Sequence, residues 1–553
     1  MNDKRYSVGV DFGTLSARAI VADTSNGETL GEAVYEYPHG VMDRELPDGT
    51  PLDDMSAYQH PADYTEALSA SVREAISRSG VSVEDICGIC IDFTTCTILP
   101  IKEDGTPLCF DERYASDPHA YVKLWKHHAS QPQADKMTAL AAERGEDWLS
   151  VYGGKISSEW AFPKILETLE KSPEAYRDTA RFIEAGDWLN LLLTGNETHG
   201  VPFAGYKALW CNGSYPSAEY FSALDERMGD IIGTKVSTKV SPVGDIAGEI
   251  NARGAELTGL CEGTKVAISM PDAHVAMAGV GAVDEGTLLL ILGTSGSYMV
   301  NSSVEKRVTG ICGYVRDAVI PNFYTYEAGQ ACLGDGYDRF VKNFVPERYF
   351  AEARERGINI HALLREKAER LEVGESGLLC LDWFNGNRSI LVDGALTGAI
   401  WGLTLNTRPE EIYRALIEAS AFGTKMIIDN FTEQGIEIKN ICASGGIARK
   451  DAMMMQIFAD VTGREIRISE TTQAGAIGSA VYAAVSGGAY SDIIEASAAM
   501  SRPFAKTYTP DRERHIKYNA IYAEYKILHD YFGRGENDVM KRLLKIKRAA
   551  REI

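Results

Sequence analysis

The chain has 553 residues, of which 45% are hydrophobic and 24% are charged. This length and composition are typical of a globular protein with several domains, each able to bury its own core. The 56 Lys and Arg residues against 78 Asp and Glu residues give a formal net charge of −22, which argues against nucleic acid or an anionic membrane as a partner.

The ends of the chain and its cysteines indicate a cytoplasmic location. The N-terminal residues MNDKRYSVGVDFG lead directly into a predicted strand without a secretion signal. The longest apolar runs, such as Leu288 to Leu292, are too short to span a bilayer. Ten scattered cysteines are typical of reduced thiols. Cys87 and Cys90 lie in a strand-like run, where we expect buried thiols rather than a zinc site.

The first predicted element is a hairpin over residues 6–23. Gly13, Thr14 and Ser16 form its turn. Small residues at a turn let a phosphate approach backbone N–H groups and hydroxyls closely. Asp11, at the end of the first strand, is suited to hold Mg²⁺ through water. An ordinary hairpin with a polar turn is the alternative interpretation of this motif alone.

The elements that follow are predicted from hydrophobic periodicity. They are a strand at 28–37, a helix at 62–80, a buried strand at 86–93, and helices at 117–130, 157–170 and 182–193. The hydroxyl-rich segment 94–97 ends the buried strand, and it either caps a turn or faces a ligand. His127 and His128 are adjacent on a predicted helix and do not share a face. We therefore expect them on a solvated surface rather than in a metal site.

A carboxylate stands where a strand meets a helix in segment 265–281. The apolar strand ends at Pro271 and Asp272, and a helix of small residues begins at Ala273. The dipole at a helix N-terminus favours an ionised carboxylate. Asp272 is therefore either the cap of this helix or a functional group. His274 is predicted to be a packed helix residue.

A second hairpin, at residues 286–300, repeats the pattern of the first. Its turn contains Gly293, Thr294 and Ser295. Two such hairpins far apart in sequence indicate a duplicated domain. Their turns are expected to grip one polyphosphate from the two sides of a cleft.

The second half contains one further nucleotide-type element. Ser444, Gly445 and Gly446 follow an apolar strand and open a helix, whose N-terminus suits a nucleotide. Small residues at 474–480 open a helix that allows close packing, and residues 407–410 predict a capping box. Segment 382–389 is expected to border an adenine pocket. Past residue 503 we expect polar helices, and the basic segment 538–553 is either a solvated helix or a binding tail.

Several of these motifs together resemble the FGGY carbohydrate kinases, of the actin, Hsp70 and sugar-kinase superfamily. The nucleotide motifs lie at residues 11–14, 293–295, 444–446 and 474–478. A closer match, to the members that act on L-ribulose, is carried by DFGTLSAR at 11–18, YPHGV at 37–41, DFTTCTILP at 92–100, SSEWAFPK at 157–164, AGYKALW at 204–210 and EAGQ at 327–330. The resemblance covers residues 6–484.

The resemblance implies an α/β fold of two related ribonuclease H-like (actin-like ATPase) domains around a central cleft. We expect domains at residues 1–280 and 281–500 and a helical tail at 501–553. The implied reaction is transfer of the ATP γ-phosphoryl group to the terminal hydroxyl of L-ribulose, a step of L-arabinose catabolism. D-ribulose or xylulose is the alternative substrate. A nucleotide-driven switch without sugar phosphorylation is the alternative of another class.

The resemblance also implies residue roles. Asp272 would be the catalytic base, and Cys96, Lys207, Asp272 and Glu327 would bind the sugar. The nucleotide would be bound by Asp11, Gly13, Thr14, Ser16, Arg18, Gly293, Thr294, Ser295, Ser444, Gly445 and Gly446. Asp11 and Asp272 would hold Mg²⁺. We therefore expect ATP and Mg²⁺ as cofactors, a ketopentose as substrate and a homodimer, with neither nucleic acid nor a membrane as partner.

Overall fold

The first half of the chain alternates short strands with helices. The computed structural model describes residues 5–53 and 55–550. Its strands up to residue 280 are β1 (Tyr6–Phe12), β2 (Ser16–Asp23), β3 (Thr29–Glu36), β4 (Tyr58–Gln59), β5 (Ile86–Phe93), β6 (Ile98–Ile101), β7 (Val122–Lys123), β8 (Arg181–Glu184), β9 (His199–Gly200), β10 (Val240–Ser241), β11 (Ile246–Glu249), β12 (Lys265–Ala267) and β13 (Met270–Pro271). The helices are α1 (Pro61–Ser79), α2 (Gln131–Arg144), α3 (Ala161–Lys171), α4 (Pro173–Asp178), α5 (Ala185–Thr194), α6 (Val201–Lys207), α7 (Ala218–Leu224), α8 (Ile231–Thr234), α9 (Ala252–Thr258) and α10 (Asp272–Gly279).

The second half has fewer strands and longer helices. Its strands are β14 (Thr287–Leu292), β15 (Gly296–Ser302), β16 (Gly313–Arg316), β17 (Tyr324–Gln330), β18 (Leu379–Leu381), β19 (Ala399–Trp401), β20 (Asn440–Ser444), β21 (Ile466–Ser469) and β22 (Phe504–Tyr508). Its helices are α11 (Gly334–Phe344), α12 (Glu347–Glu355), α13 (Ile360–Glu369), α14 (Pro409–Glu433), α15 (Gly446–Lys450), α16 (Ala452–Thr462), α17 (Ala474–Ser486), α18 (Ile493–Met500), α19 (Arg512–Gly533) and α20 (Val539–Ala549).

The two large sheets share one strand order. The first runs β3-β2-β1-β5-β12-β11 and the second runs β17-β15-β14-β20-β21-β22, with β16 added beside β17. In both sheets the first three strands are antiparallel, the next two run parallel to the hairpin's first strand, and the last is antiparallel. This repeated order confirms the predicted duplicated α/β fold.

The central strands of each sheet are buried because helices cover both faces, as is usual for parallel strands. Every residue of β5 is buried, and so are five of the seven residues of β1. The hydrophobic runs that predicted these strands are therefore core. These buried strands determine where the polar residues at the strand ends lie, and those residues face the space between the domains.

Helix α17 joins the two halves, although its sequence lies in the second. It packs on β1, where a Cβ at Gly9 would lie 2.0 Å from the carbonyl oxygen of Ala476. It also packs on α10, because a Cβ at Gly478 would lie 2.1 Å from the carbonyl oxygen of Val275. Only glycine allows backbones to approach this closely. The predicted close packing of this small-residue helix is confirmed.

Three predictions of local structure are wrong. Residues 117–130 are not a helix, because residues 122–123 form β7 between β4 and β6. His127 is not solvated: it is fully buried, and its Nε2 lies 2.9 Å from the carboxylate of Glu167. The chain past residue 503 is not all helical, since β22 adds to the second sheet by pairing with β21.

The chain terminus otherwise follows the expectation. Helix α20 carries the basic residues Lys541, Arg542, Lys545 and Lys547, and the last three residues of the predicted basic segment lie outside the described ones. The long helix predicted from its capping box is α14, and the box runs from Arg408 to Glu411. Among the described residues, no helix combines the length and apolar character needed to cross a membrane.

Candidate active site

Three carboxylates lie where adjacent strands of the first sheet end. Asp11 is the penultimate residue of β1, and it lies opposite Asp92, the penultimate residue of β5. Strand β13 also pairs with the end of β5, and Asp272 follows it as the first residue of α10. Parallel strands place their carboxyl ends at one edge of a sheet, where open α/β folds bind ligands.

Burial raises the pKa of all three carboxyl groups. It raises the pKa of Asp272 to about 7, with the negative charge of Asp11 as the second cause. Burial and then the Asp11 charge raise the pKa of Asp92 well above its usual range. Burial also raises the pKa of Asp11, an effect that the neighbouring Asp92 side chain and then the charge of Arg18 partly offset. Like charges this close favour protonation unless a cation is present.

Asp92 is a site residue that the sequence analysis did not assign. One of its carboxylate oxygens, Oδ2, accepts a hydrogen bond of 2.7 Å from the hydroxyl of Ser479 on α17. The other, Oδ1, has no hydrogen-bond partner among the described residues, although Asp92 is fully buried. Its place at the end of a buried strand, beside the strand of Asp11, was the available signal. A buried carboxylate oxygen without a partner in a cluster of acids fits a divalent cation.

Asp272 is not the cap of its helix. Pro271 is the N-cap residue, and Asp272 is the first residue of the helix itself. Its Oδ1 accepts the N–H of Ala273 at 2.7 Å, which leaves Oδ2 available to a ligand. The side chain is partly exposed to the cleft. The cap alternative is therefore excluded, and the carboxylate is free to act as a base.

Two predicted sugar residues meet across the domains. Lys207 ends α6 in the first domain, and Glu327 lies on β17 in the second. Their Nζ and Oε2 atoms are 3.7 Å apart. Burial opposes ionisation of Glu327, but the charge of Lys207 and then the neighbouring His274 ring hold its pKa well below the usual range. Likewise the Glu327 charge outweighs burial and raises the pKa of Lys207. The pair is thus ionised, with donors on one side and acceptors on the other.

His274 belongs to this pair as well, and the sequence analysis missed that. Its ring packs on Tyr206 with 4.0 Å between ring centroids, as expected of a packed helix residue. However, its Nε2 also lies 3.5 Å from Oε2 of Glu327. The pattern of small residues around position 274 gave no signal of this contact, because Glu327 lies on another domain.

Cys96 lies in the turn after β5, with a backbone φ of 63°. The carbonyl oxygen of this residue accepts a 2.6 Å hydrogen bond from the buried ammonium of Lys164. Burial raises the pKa of the Cys96 thiol well above its usual range. The thiol is therefore protonated and unreactive.

Each of the two predicted phosphate turns is closed by a backbone hydrogen bond from its first glycine, and the first turn is one residue longer than the second. The N–H of Gly13 donates to the carbonyl oxygen of Ser16, and the N–H of Gly293 donates to that of Ser295, both at 3.0 Å. The hydroxyl of Thr14 already accepts a hydrogen bond from the indole of Trp125. The turns thus occupy corresponding places in the two domains, each at the carboxyl end of a central strand.

Three other predicted nucleotide residues differ in their environment. Ser16 is the first residue of β2 rather than part of the turn. Thr294 is exposed at the tip of the second turn. Arg18 lies opposite Asp11 in the β1–β2 pair, and its Nε is 3.2 Å from Glu32. Arg18 therefore acts on the carboxylate cluster through its charge, one strand away.

The glycine element of the second domain lies beside the second phosphate turn. Strand β20 pairs with β14 so that Ser444 lies opposite Ile291. Gly445 has a φ of 101°, and a Cβ there would lie 2.5 Å from the carbonyl oxygen of Leu292. A side chain cannot be accommodated at this position. The next residue, Gly446, is exposed, and nothing lies within 4 Å of where its Cβ would be.

Helix α17 also reaches the carboxylate cluster. A Cβ at Gly475, in its first turn, would lie 2.9 Å from Oδ2 of Asp11. Segment 382–389 lines a cavity with Gln330, and the charge of its Arg388 contributes to lowering the pKa of Glu327. This segment therefore borders the sugar pair, while its predicted contact with adenine remains a prediction.

Comparison with known proteins agrees with this geometry. Residues 6–279 match the FGGY family of carbohydrate kinases, N-terminal domain, and residues 288–487 match its C-terminal domain. A curated relative from Bacillus licheniformis named Ribulokinase is 48% identical over 539 residues, which cover 96% of this chain and 98% of the relative. Another Ribulokinase, from Halalkalibacterium halodurans, is 47% identical and covers 98% of each chain.

Solved structures show the same fold at lower identity. A xylulose kinase from Rhodospirillum rubrum superimposes with a TM-score of 0.78 at 22% identity, covering 95% of this chain and 98% of the other. A gluconate kinase from Lactobacillus acidophilus has a TM-score of 0.79 at 17% identity, covering 96% and 98%. With both domain matches and relatives at nearly half identity over the full length, the chain belongs to the FGGY family of carbohydrate kinases.

Proposed function

We propose that this sugar kinase is a ribulokinase, which transfers the γ-phosphoryl group of ATP to the terminal hydroxyl of L-ribulose and yields L-ribulose 5-phosphate. The observation that carries the proposal is the position of Asp272. This carboxylate has one free oxygen and a pKa of about 7, in a chain whose full-length relatives are named Ribulokinase. Its place is L-arabinose catabolism.

The chemistry requires a base close to the sugar hydroxyl. Asp272 accepts the hydroxyl proton as the oxygen attacks the γ-phosphorus, and its pKa near 7 suits that exchange at neutral pH. Lys207 and Glu327 hold other hydroxyls of the sugar, one as donor and one as acceptor. Cys96 packs against the carbon chain. These residues act mainly by positioning, because phosphoryl transfer depends on alignment more than on covalent chemistry.

ATP binds across the two domains. The turns at Gly13–Ser16 and Gly293–Ser295 contact its phosphates, and Ser444–Gly446 contacts the adenosine. Mg²⁺ supplies charge neutralisation of the phosphate oxygens when it is bound. Asp11, Asp92 and Asp272 would hold it, since their crowding and the partnerless oxygen of Asp92 fit a cation. The active protein is a cytoplasmic homodimer.

A coupled assay of ADP release tests the proposal against all four 2-ketopentoses. We expect the highest kcat/KM with L-ribulose and lower values with D-ribulose and the xyluloses. ATP hydrolysis without sugar should be slow. A higher kcat/KM with D-ribulose or D-xylulose would overturn the substrate but leave the kinase class intact. ATP hydrolysis that no ketopentose stimulates would overturn the kinase proposal and favour a nucleotide switch.

A further inference from the structure

We infer that His274 is a third sugar-contacting residue, and that it determines which ketopentose the site prefers. The inference deepens the proposed function and rests on the sugar binding beside Asp272. It starts from a feature of the structure that costs free energy, a buried side chain with unpaired polar atoms. His274 is only 3% exposed, yet neither of its ring nitrogens has a hydrogen-bond partner among the described residues. Buried polar atoms are nearly always paired, so an unpaired one beside a proposed ligand site points to a partner that the ligand supplies.

One of the two unpaired nitrogens of His274 lies beside the predicted sugar residues. Nε2 of His274 lies 3.5 Å from Oε2 of Glu327, beyond a good hydrogen bond. That same oxygen of Glu327 also lacks a hydrogen-bond partner, while Nζ of Lys207 stands 3.7 Å from it. Three polar groups from two domains thus converge at distances that suit ion pairs but are longer than good hydrogen bonds. Sugar hydroxyls between them would satisfy all three.

The three groups differ in what they offer a hydroxyl. Lys207 only donates and ionised Glu327 only accepts, whereas an imidazole offers an N–H whose direction is fixed by the plane of the ring. A hydroxyl in contact with His274 and Glu327 gives its proton to the carboxylate and accepts the N–H of the ring. The epimer with that hydroxyl on the other side of the carbon leaves both groups buried and unpaired. The pair Lys207 and Glu327 alone cannot impose this geometry, because an ammonium donates in any direction.

Variants of His274 can test its packing on Tyr206 and its polar contacts separately. His274→Phe keeps an aromatic ring against Tyr206, at 4.0 Å in the native protein, and removes both nitrogens. His274→Gln restores a donor and an acceptor. His119→Phe is the matched control: His119 is also buried with an unpartnered Nδ1, but it lies in a turn at residues 118–120 of the first domain. Each variant is assayed with the four ketopentoses and with the 3-deoxy and 4-deoxy analogues of L-ribulose.

We expect His274→Phe to raise the KM for the preferred ketopentose about tenfold or more, because one buried pairing is lost. The ratio of its kcat/KM to the kcat/KM of the epimers should also decrease. The KM for ATP should stay within about twofold. His274→Gln should recover part of both effects, and His119→Phe should show neither. One deoxy analogue should be nearly as poor a substrate for the wild type as L-ribulose is for His274→Phe. With that analogue as substrate, His274→Phe should lower kcat/KM little further, since the variant and the analogue remove the same contact.

Several results would overturn the inference. A His274→Phe protein with the wild-type ranking and KM values would do so, and so would a loss confined to kcat with the ranking unchanged. Additive effects of the variant and both deoxy analogues would show that the ring contacts neither hydroxyl. If the Phe variant does not fold, His274→Asn, whose shorter side chain withdraws its polar atoms, is subject to the same criteria. A wild type that prefers D-ribulose would instead reject the proposed substrate, while the ranking test of His274 still applies.

Discussion

The pKa of Asp272 makes the pH dependence of this enzyme predictable. In the proposed mechanism Asp272 works as the carboxylate, and burial with the Asp11 charge raises its pKa to about 7 from an ordinary 3.8. The base is therefore about one-tenth ionised at pH 6 and about nine-tenths ionised at pH 8. We expect kcat/KM for the sugar to fall about tenfold from pH 8 to pH 6 where Mg²⁺ does not contact Asp272, and the fall to move to lower pH where it does.

Replacing Asp272 should remove most of the activity and also the fall in kcat/KM between pH 8 and pH 6. Asp272→Asn is expected to lower kcat by at least about a hundredfold and to leave a residual rate that is flat between pH 6 and pH 8. Nucleotide binding should be nearly intact. A control is Asp460→Asn, which removes another carboxyl group with a pKa raised by burial, in α16 away from the cluster. That variant should keep the wild-type profile.

Stability gives a second, independent measurement. Because the folded-state pKa of Asp272 lies above the unfolded value, the folded protein binds more protons, and stability is lost as the pH rises from about 4 to 7. The difference between 7 and 3.8 corresponds to up to about 4 kcal/mol. Asp272→Asn should therefore raise the melting temperature of the ligand-free protein at pH 8 and much less at pH 4. Near-normal turnover in this variant, or the same fall in its kcat/KM at low pH, would refute the reasoning.

Four further outcomes are expected. Lys207→Met and Glu327→Gln should each raise the KM for L-ribulose and narrow its advantage, with the KM for ATP almost unchanged; unchanged sugar kinetics would exclude contact with the sugar. Gly475→Ala places a methyl group 2.9 Å from the carboxylate at the end of β1 and should cut kcat about tenfold or more. Gly394→Ala, with nothing within 4 Å of the new Cβ, should leave kcat unaltered. Asp92→Asn should raise the Mg²⁺ concentration for half-maximal rate, and an unaltered Mg²⁺ titration would remove Asp92 from the cation site. Small-angle scattering should show a smaller radius with ketopentose and a non-hydrolysable nucleotide, and an equal radius would mean that the cleft is closed beforehand.

Local chemistry explains why the hairpins and the start of α10 could be predicted from sequence. Where a strand ends at small or polar residues, the end is determined by residues next to it in the chain. The turn at Gly13 and the start of the helix at Asp272 are both determined in this local way. Residues 117–130 show the opposite case. Their apolar residues suit several structures, and pairing of β7 with the distant strands β4 and β6 decides the outcome. Tertiary contacts overrode the local pattern there.

The candidate site could be predicted only in part. Resemblance to the family supplied Lys207 and Glu327, but nothing in their local sequences indicates that they meet across 120 positions of chain. His274 is packed against Tyr206 as predicted, but its contact with Glu327 was missed because that residue lies on the other domain. Asp92 was missed because a single acid in an apolar strand gains meaning only beside Asp11 and Asp272.

The position of α17 bears on how this protein is made. The hydroxyl of Ser7 on β1 donates to the carbonyl oxygen of Ala480 at 2.8 Å, and α17 covers the central strands of the first sheet. This covering helix begins at residue 474, about 195 residues after α10 ends. At about 5–20 residues per second, a ribosome needs roughly 10–40 s to synthesise the intervening chain. For that time the nascent first domain keeps an apolar sheet face open to water, so its final folding waits for the end of synthesis and its early release invites aggregation.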